Sequence, residues 1–312
     1  MNDLNQLEKN RIIWASTRSV LESLKFKSKR GGKKSKSHWT LFEKLLGIFV
    51  FILKMTRYYK IGLGNAMYND LTELTLEYKN LPKELEGYKI IQLSDLHLDT
   101  IAKTEVYIVD KIKNLKYDLC VITGDYRKND NGRFVHVINP FKFLVQNIFA
   151  KDGIWAVLGN HDSYMMVDYE NELHPLKFLV NEDVIIEKNG TKLCVVGTDD
   201  PFAYYTDKAV LALERAKGDF KIALVHTSEL HDVASEKGYN LYLCGHTHAG
   251  QICLSGGIPL ITHQKDGKKY FKGMWTDGEM VGYTSAGNGV SGVPQRFNTF
   301  GEIVLITLKN KI

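Results

Sequence analysis

Short apolar runs alternate with helical patterns along most of the chain, from about residue 71 to its end. The runs lie at residues 88–94, 119–123, 154–158, 192–196, 221–225, 241–244, 281–285 and 303–308. They have the length and the branched or aromatic side chains of buried strands. Between them, residues 104–115 and 141–149 place apolar side chains at helical spacing. This alternation predicts a layered α/β or α+β domain over residues 71–312.

The first 70 residues have a different composition, which predicts an N-terminal arm. Residues 1–24 show helical spacing, residues 25–36 contain seven Lys/Arg, and residues 45–53 are all apolar. Because a spanning helix needs about 20 apolar residues, the apolar run is too short to cross a bilayer by itself. The basic tract and the apolar run are two weak anchors that together give useful membrane affinity. We therefore expect residues 1–70 to be a helical, polybasic and apolar arm that lies on an anionic membrane surface.

The uneven distribution of charge bears on the partners of the protein. Residues 1–60 contain 14 Lys/Arg and 4 Asp/Glu, whereas the rest of the chain contains 27 Lys/Arg and 32 Asp/Glu, out of totals of 41 and 36. Enzymes that act on long nucleic acids concentrate positive charge around the active cleft, so an acidic body argues against a nucleic-acid partner.

Two other interpretations of residues 41–60 stay open. One is a core helix behind a solvated linker, and the other is a single membrane-spanning anchor.

The four cysteines, Cys120, Cys194, Cys244 and Cys253, show no paired CxxC spacing. Three of them lie in predicted strands, so we interpret the cysteines as reduced core residues. Reduced thiols are typical of a reducing compartment. A chain of this length can bury a sufficient core without disulfides.

Residues with nitrogen or oxygen donors follow five of the predicted strands. They are Asp95 and His97 after the first strand, Asp125 after the second, Asn160, His161 and Asp162 after the third, His226 after residues 221–225, and His246 and His248 after residues 241–244. Ligands of α/β proteins bind beyond the carboxyl ends of the strands, so these side chains are predicted to converge on one site. Each short motif alone is common in proteins, whereas the five together predict a metal site.

The chemistry of these donors predicts two divalent metal ions. Asp95 and His97 are two residues apart and can share one ion, whereas His246 and His248 can each reach a different ion. The carboxylate of Asp125 has two oxygens and can bridge both ions. Mixed imidazole and carboxylate ligands favour Mn, with Fe or Zn as alternatives, over Ca or Mg. Two such ions can clamp a phosphoryl group and activate water for its hydrolysis.

Together these motifs resemble the calcineurin-like metallophosphoesterase superfamily over roughly residues 85–310. The resemblance implies a β-sandwich flanked by helices, in a four-layer αββα arrangement, with residues 71–312 as the catalytic domain. It implies that Asp95, His97, Asp125 and His248 bind one ion, and that Asp125, Asn160, His226 and His246 bind the other. It also implies that His161 is the catalytic histidine, which stabilises charge or protonates the leaving group, and that Asp162 orients it.

Further residues resemble one membrane-associated bacterial branch of this superfamily. They are Gly245-His246-Thr247-His248-Ala249-Gly250-Gln251-Ile252 and, later, Gly287, Arg296-Phe297-Asn298 and Glu302-Ile303. The branch includes the lipid A pathway enzymes that cleave UDP-2,3-diacylglucosamine, and it usually has Gly where this chain has Ala249. Arg127 and Arg296 lie near the predicted site, where a guanidinium group can bind a phosphate through two hydrogen bonds. A solvated surface position is the alternative for both arginines.

Five other histidines, His38, His136, His174, His231 and His263, lack the strand-end context. We predict that they are structural or exposed, with His231 as the one candidate for contact with substrate.

The resemblance and the arm together predict a phosphoesterase that acts as a peripheral protein at the cytoplasmic face of the inner membrane. The expected substrate is UDP-2,3-diacylglucosamine, which hydrolysis of its pyrophosphate would convert to UMP and lipid X in lipid A biosynthesis. One alternative is a phosphodiesterase that acts on a soluble nucleotide or nucleic acid. Another is a non-catalytic scaffold, although members of that kind have lost metal ligands that are present here. A single N-terminal membrane anchor is the alternative to a peripheral arm.

Overall fold

A computed structural model of the protein describes residues 5–31, 47, 48, 50–130, 132–260 and 269–311. The predicted basic tract lies outside these residues from residue 32 onwards. The first part of the predicted membrane segment, His38 and His263 lie outside them as well.

The described elements alternate between helices and strands. The α-helices are α1 (Gln6–Gly31), α2 (Tyr58–Met67), α3 (Thr104–Ile112), α4 (Val135–Gln146), α5 (Pro201–Tyr204), α6 (Asp207–Arg215) and α7 (His231–Glu236). Short 3-10 helices cover Lys83–Leu85, Tyr164–Tyr169 and His248–Gly250. The strands are β1 (Asn69–Tyr78), β2 (Lys89–Leu93), β3 (Leu119–Ile122), β4 (Ile154–Ala156), β5 (Leu176–Phe178), β6 (Glu182–Lys188), β7 (Thr191–Gly197), β8 (Phe220–Leu224), β9 (Leu241–Cys244), β10 (Cys253–Leu254), β11 (Ile258–Pro259), β12 (Gly273–Asp277), β13 (Met280–Thr284) and β14 (Gly301–Asn310).

Two six-stranded sheets form the centre of the protein. The first has the order β1-β14-β2-β3-β4-β5, in which β2 to β5 are parallel and β14 is antiparallel to β2. The second has the order β12-β13-β9-β8-β7-β6, in which β13, β9, β8 and β7 are parallel. Parallel neighbours end at the same edge of a sheet, so each sheet aligns the carboxyl ends of several strands.

Three hydrophobic clusters hold the layers together. The cluster between the sheets contains Val121 and Val304 of the first sheet and Ile222 of the second. A second cluster joins α3 and α4 to the outer face of the first sheet, with Phe141 among its buried residues. A third joins α6 and α7 to the outer face of the second sheet, with Leu213 among its buried residues. Burial of apolar area at about 25 cal/mol per Å² makes these clusters the main source of stability.

The layers are therefore helix, sheet, sheet and helix, which confirms the predicted fold class. Each predicted apolar run forms a strand, with ends that differ by at most a few residues. The four cysteines are free and buried, and all of them lie in strands. Within the part of the chain that the structure describes, no helix combines the length and the apolar character needed to cross a membrane.

The two helices of the predicted arm contact the folded body. On α1, the guanidinium group of Arg11 donates to the carboxylates of Glu170 and Glu182, at 2.8 and 2.9 Å. On α2, Gly62 packs so closely on the ring of Phe297 that a Cβ would lie 2.6 Å from it. The division at residue 70 therefore stays a prediction about function, because it does not coincide with a break in packing.

Candidate metal centre

The carboxyl ends of β2, β3, β4, β8 and β9 meet at one edge of the sandwich. The loops that follow these strands carry all seven predicted metal ligands, and each of these side chains is buried. Two backbone hydrogen bonds join the first two loops: Asp95 donates to the carbonyl of Gly124 at 2.9 Å, and His97 donates to that of Asp125 at 3.0 Å. The structure thus brings together residues that the sequence places at separate strand ends.

Asp95, His97 and His248 form one candidate metal site, in which the donor atoms all lie within 4.8 Å of one another. The Nε2 atoms of His97 and His248 are 3.2 Å apart. Nε2 of His248 lies 3.5 Å from Oδ1 of Asp95. Two imidazole nitrogens and a carboxylate oxygen that surround a common point are a suitable ligand set for a divalent transition metal.

Asp125, His226 and His246 form a second candidate site with the same limit of 4.8 Å between donor atoms. Nε2 of His226 lies 3.3 Å from Oδ2 of Asp125. The same Nε2 atom lies 3.1 Å from Oδ1 of Asn160, which adds a neutral oxygen donor to this group. The ring of Phe202 lies against His246, with 4.6 Å between the ring centroids, and covers this side of the site.

Asp125 lies between the two groups. Its Oδ2 atom is 3.7 Å from Nε2 of His97 in the first group and 3.3 Å from Nε2 of His226 in the second. Its Oδ1 atom accepts the backbone N–H of His161 at 2.9 Å. One carboxylate therefore faces both candidate sites, which is the position that a bridging ligand requires.

Backbone carbonyls set the orientation of two histidine rings. Nδ1 of His97 lies 2.8 Å from the carbonyl of Arg127, and Nδ1 of His226 lies 2.7 Å from that of Thr123. A carbonyl only accepts, so in each ring the Nδ1–H donates to it, and Nε2 retains its lone pair toward the site when the ring is neutral. Metal-binding histidines commonly have a partner of this kind on the second ring nitrogen.

Most of the predicted ligands have a strained backbone. Positive φ angles occur at Asp95 (50°), His97 (38°), Asp125 (58°), His246 (73°) and His248 (50°). A residue other than glycine in this region costs of order 1–3 kcal/mol, and such residues concentrate at functional sites. Gly159 makes room for one of these turns, because a Cβ there would lie 2.2 Å from Oδ1 of Asp125.

Burial and charge act differently on the histidines. Burial lowers the pKa of His97, and it lowers that of His248 well below the usual value, so both rings are neutral and available to an ion. Burial would also lower the pKa of His226, but the carboxylate of Asp125 outweighs it and raises that pKa well above its usual value. Burial raises the pKa of Asp125, but the attraction of His226 and other histidines holds it well below its usual range.

The residues present fit a pair of divalent metal ions. Imidazole nitrogens, carboxylate oxygens and one amide oxygen form two adjacent donor groups that share Asp125. This donor set suits Mn, Fe or Zn, and Mn stays a prediction. When bound, such ions supply positive charge that holds a phosphoryl group and makes water a better nucleophile. The chain itself supplies the ligands, their orientation and a site whose walls are buried.

His161 differs from the ligands because it is partly exposed. Its side chain retains 24% of its accessible surface, and its Nε2 atom lies 4.0 Å from Oδ2 of Asp125. Its ring stands edge-on to that of His97, with centroids 5.2 Å apart. Burial lowers the pKa of His161, because the buried ring is less able to carry a charge. A histidine at the open side of the site can contact a leaving group, as the predicted catalytic role requires.

Asp162 does not orient the ring of His161, so this part of the prediction needs correction. Its Oδ2 atom accepts the backbone N–H groups of Asp125 and Gly159, each at 2.8 Å. Its Oδ1 atom accepts the backbone N–H of Tyr126 at 2.8 Å. Burial raises the pKa of Asp162 to about 7. The carboxylate thus joins the loops after β3 and β4, and it positions a ligand rather than the catalytic histidine.

The predicted phosphate contact of Arg296 also needs correction, whereas that of Arg127 stays a prediction. Both arginines are buried, and their guanidinium groups donate to backbone carbonyls. Arg127 donates to His161 at 2.6 Å and to Gly132 at 2.9 Å. Arg296 donates to the carbonyls of His248, Ala286, Gly287, Gly289 and Phe300 at 2.7–3.2 Å. These bonds hold the loops around the site, and both Nη atoms of Arg296 are engaged in them.

The three other described histidines lie outside the metal groups. His136 and His174 are exposed. Nδ1 of His231 lies 2.5 Å from Oδ2 of Asp277, and its ring stacks on Tyr270 with centroids 4.2 Å apart. His231 is therefore a structural residue in the outer helical layer, and the structure gives no support to its predicted contact with substrate.

Sequence reasoning missed residues after two further parallel strands. Asp199 and Asp200 follow β7, and Asp200 accepts the first backbone N–H groups of α5. Asn288 follows β13, and its Oδ1 accepts the backbone N–H of Ser94 at 2.9 Å. The signal was present, because these polar residues also stand directly after apolar strands. They lack histidine, however, and did not resemble metal ligands.

Residues 88–250 match the family described as calcineurin-like phosphoesterase. An uncharacterized metallophosphoesterase, YkuE of Bacillus subtilis, is 30% identical over 80% of this chain and 90% of its own length. A transmembrane protein with metallophosphoesterase domain from Bos taurus is 28% identical over 80% of this chain and 59% of its own length. Among solved structures, the Thermus thermophilus sulfate thiohydrolase SoxB is 13% identical over 68% of this chain and 53% of that chain, with a TM-score of 0.45.

A sandwich of two sheets with paired histidine and aspartate groups at the strand ends defines a metal-dependent hydrolase. The chain belongs to the calcineurin-like phosphoesterase family. Metal-dependent cleavage of phosphate esters follows from this membership and from the two candidate metal sites. The alternative of a non-catalytic scaffold loses its basis, since the ligand set is complete.

Proposed function

We propose that this phosphoesterase hydrolyses a phosphate ester or pyrophosphate of a lipid-linked substrate, as a peripheral protein at the cytoplasmic face of the inner membrane. UDP-2,3-diacylglucosamine is the substrate that we propose to test first, with UMP and lipid X as the products. The observation that carries the proposal is an exposed apolar surface at the described end of the predicted membrane segment. We name this surface the apolar segment, and it consists of Ile48, Phe51, Ile52 and Met55.

The apolar segment is not used by the hydrophobic core. Phe51 is 65% exposed and Met55 is 77% exposed, and more than half of the surface of Ile48 and of Ile52 is exposed as well. A core helix, which is the alternative interpretation of this segment, would bury these side chains. Contiguous exposed apolar residues on a soluble protein commonly mark a surface that contacts a membrane or a partner. The adjoining sequence is strongly basic, which favours an anionic membrane as that partner.

The outer side of α1 has the same character. Ile13, Val20 and Leu24 are all exposed, and their spacing of seven and four residues places them on one face of the helix. Arg11 and Arg18 lie on the opposite face, against the body of the protein. Exposed apolar side chains along one face of a surface helix favour contact of that face with lipid.

Residues on both sides of the predicted membrane segment, Lys25 before it and Gly62 after it, are attached beside the metal centre. On the N-terminal side, Nζ of Lys25 donates to the carbonyl of Asn160 at 2.7 Å. On the C-terminal side, the backbone N–H of Arg296 donates to the carbonyl of Gly62 at 2.9 Å, and Nη1 of Arg296 donates to the carbonyl of His248. An arm bound to lipid would therefore keep the metal centre close to the membrane surface, which favours a substrate that resides there. The bovine relative is itself named as a transmembrane protein.

A vesicle-flotation assay tests the membrane part of the proposal. Wild-type protein should float with vesicles of phosphatidylcholine and phosphatidylglycerol, and less with phosphatidylcholine alone. The double variant Phe51→Asp/Met55→Asp should lose most of this binding. Phe149→Asp is the matched control, because Phe149 is exposed but precedes β4, at the edge of the sheet opposite the metal centre. Equal flotation of all three proteins would contradict the role of the apolar segment.

Incubation with Mn²⁺ and UDP-2,3-diacylglucosamine in mixed micelles tests the substrate. The expected result is release of UMP, and bis(p-nitrophenyl) phosphate serves as a control for general diesterase activity. Cleavage of the control compound without release of UMP would overturn this substrate and leave the enzyme class intact. Cyclic nucleotides assayed without lipid test the alternative of a soluble phosphodiester substrate.

A further inference from the structure

We infer that Arg18 of α1 is a positioning residue of the metal centre, which holds the loop of residues 159–162 in the conformation that binds metal. This loop carries the ligand Asn160 and the catalytic histidine His161. Arg18 lies far away in the sequence and outside residues 88–250, which match the family. The inference concerns the metal centre alone and does not depend on the proposed lipid substrate.

The position of Arg18 is unusual for an arginine. Its side chain is completely buried, although α1 lies on the surface of the protein. Nη2 of Arg18 donates to the backbone carbonyl of Gly159 at 3.2 Å and to that of Asp162 at 3.0 Å. These two carbonyls are the first and last of the loop, so a single guanidinium group spans it. A buried charge is tolerated only when it is paired and fully hydrogen-bonded.

The remaining donors and the face of the same guanidinium group are also engaged. Nη1 forms an ion pair with Oδ1 of Asp199, and Nε donates to Oε1 of Glu22 at 3.1 Å. The face of the guanidinium group lies 3.4 Å from the centre of the ring of Tyr204. Each donating nitrogen therefore has a specified partner, which fixes the orientation of the fork relative to the loop. A lysine at this position would keep the charge but not the fork.

The loop is held from two sides. On the inner side, the carboxylates of Asp125 and Asp162 accept the backbone N–H groups of His161 and Gly159, at 2.9 and 2.8 Å. On the outer side, the guanidinium group of Arg18 donates to the backbone carbonyls of Gly159 and Asp162. Negatively charged carboxylates thus bind the N–H groups of this turn, and a positively charged guanidinium group binds its carbonyls. Removal of Arg18 takes this partner from the carbonyls of Gly159 and Asp162, whereas Lys25 and Arg127 still donate to those of Asn160 and His161.

The spacing of basic residues along α1 supports a dedicated role. Arg11, Arg18 and Lys25 are separated by seven residues each and therefore share one face of the helix. Each of them donates to a backbone carbonyl of the body: Arg11 to Phe178, Arg18 to Gly159 and Asp162, and Lys25 to Asn160. A helix that served only to cover apolar surface would present mainly apolar side chains on this face. Here even the large apolar residue Trp14 forms a polar contact, because its Nε1 donates to the carboxylate of Asp199.

The variant Arg18→Lys tests the inference through metal affinity and loop dynamics. Loss of partners that orient metal ligands typically weakens metal binding about 10–100-fold, so we expect a weakening of Mn²⁺ binding in this range by calorimetric titration. Amide hydrogen exchange at residues 160–162 should become faster in the metal-free variant. With bis(p-nitrophenyl) phosphate, kcat should fall and excess Mn²⁺ should restore most of it, while KM at saturating Mn²⁺ stays the same.

Arg215→Lys is the matched control, because Arg215 also donates to a backbone carbonyl, that of Asn181, but at an exposed surface. It should change neither Mn²⁺ affinity nor exchange of the loop. If Arg18→Lys does not fold, Lys25→Met provides the second test, because Lys25 is partly exposed and donates to the same loop at Asn160. It should weaken Mn²⁺ binding several-fold with little change in melting temperature.

The inference is overturned if the folded Arg18→Lys variant binds Mn²⁺ with wild-type affinity and shows wild-type exchange at residues 160–162. It is also overturned if lowered activity is accompanied only by a lower melting temperature and excess Mn²⁺ does not restore it. Those outcomes would make Arg18 a stability determinant without influence on the metal centre.

Discussion

The carboxylate of Asp162 accepts the backbone N–H of Asp125 at 2.8 Å. Asp125 is the ligand that faces both candidate metal sites, so the conformation of its backbone decides where the bridging carboxylate lies. Nδ1 of His161, by contrast, has no hydrogen-bond partner among the described residues. Asp162, which follows the predicted catalytic histidine in the sequence, therefore supports the predicted metal ligand Asp125, which lies 37 residues before it.

Replacement Asp162→Asn should weaken metal binding in a way that does not depend on His161. An amide offers one acceptor oxygen, whereas the carboxylate accepts three backbone N–H groups. We expect about 10–100-fold weaker Mn²⁺ binding and a loss of about 1–3 kcal/mol in the free energy of unfolding. The measurement is a double-mutant cycle with His161→Ala, followed by Mn²⁺ titration. If Asp162 acted through the ring of His161, its effect would disappear in the His161→Ala background.

Removal of the imidazole by His161→Ala should affect catalysis and leave metal binding intact. His161 lies at the open side of the site and belongs to neither candidate metal group, so it is not needed to hold an ion. We expect kcat to fall about 10²–10⁴-fold for esters of alcohols with high pKa, whose departure requires a proton. The decrease should be much smaller for p-nitrophenyl esters. Equal losses for both kinds of leaving group would exclude a role in protonation.

Replacement Arg296→Lys should destabilise the protein rather than weaken substrate binding. Arg296 is fully buried and donates to five backbone carbonyls, which a lysine cannot reach together. Breaking such a buried charged network costs about 3–5 kcal/mol in the free energy of unfolding, which denaturant titration would measure. The folded fraction should retain the wild-type KM for a phosphodiester. A raised KM at unchanged stability would instead favour the predicted phosphate contact.

Metal binding near pH 7 should release about one proton from His226. Oδ2 of Asp125 lies 3.3 Å from Nε2 of His226 and raises the pKa of this histidine well above its usual value, so the metal-free ring is charged. An ion needs the lone pair on that nitrogen and must displace the proton. Apparent Mn²⁺ affinity should therefore fall roughly tenfold per pH unit below the raised pKa. Calorimetric titration in two buffers of different ionisation enthalpy measures the released proton, and His226→Gln should abolish it.

The sequence predicted the inner strands well and missed the outer ones. β2, β3, β8 and β9 are buried on both faces and form continuous apolar runs, which are easy to recognise. The strands that escaped prediction include the four edges of the two sheets, β1, β5, β6 and β12. Edge strands are short or alternate with charged residues, as Glu73 and Glu77 do in β1, so their apolar pattern is weak.

The identity of the site residues followed from their strand-end positions, but their conformations did not. Asp and His adopt a positive φ more often than most residues, but the conformation is still uncommon for them, and yet five of the predicted ligands adopt it. The surrounding hydrogen bonds impose this conformation, and they form only in the complete fold. Arg18 was missed for a similar reason. The sequence of α1 predicted part of a membrane arm, and nothing in the sequence distinguishes an arginine that will be buried from one that will be exposed.

The position of β14 has a consequence for synthesis of the protein. This strand lies between β1 and β2. It pairs with β1 along all ten residues from Asn69 to Tyr78, and it is the neighbour of β2 on the side opposite β3. A nascent chain therefore leaves both strands without their shared neighbour until residue 310 has emerged from the ribosome. The loop after β2 carries Asp95 and His97, so metal loading should follow the emergence of β14. Until then the unfinished sheet has exposed strand edges, and this is the stage at which chaperones matter most.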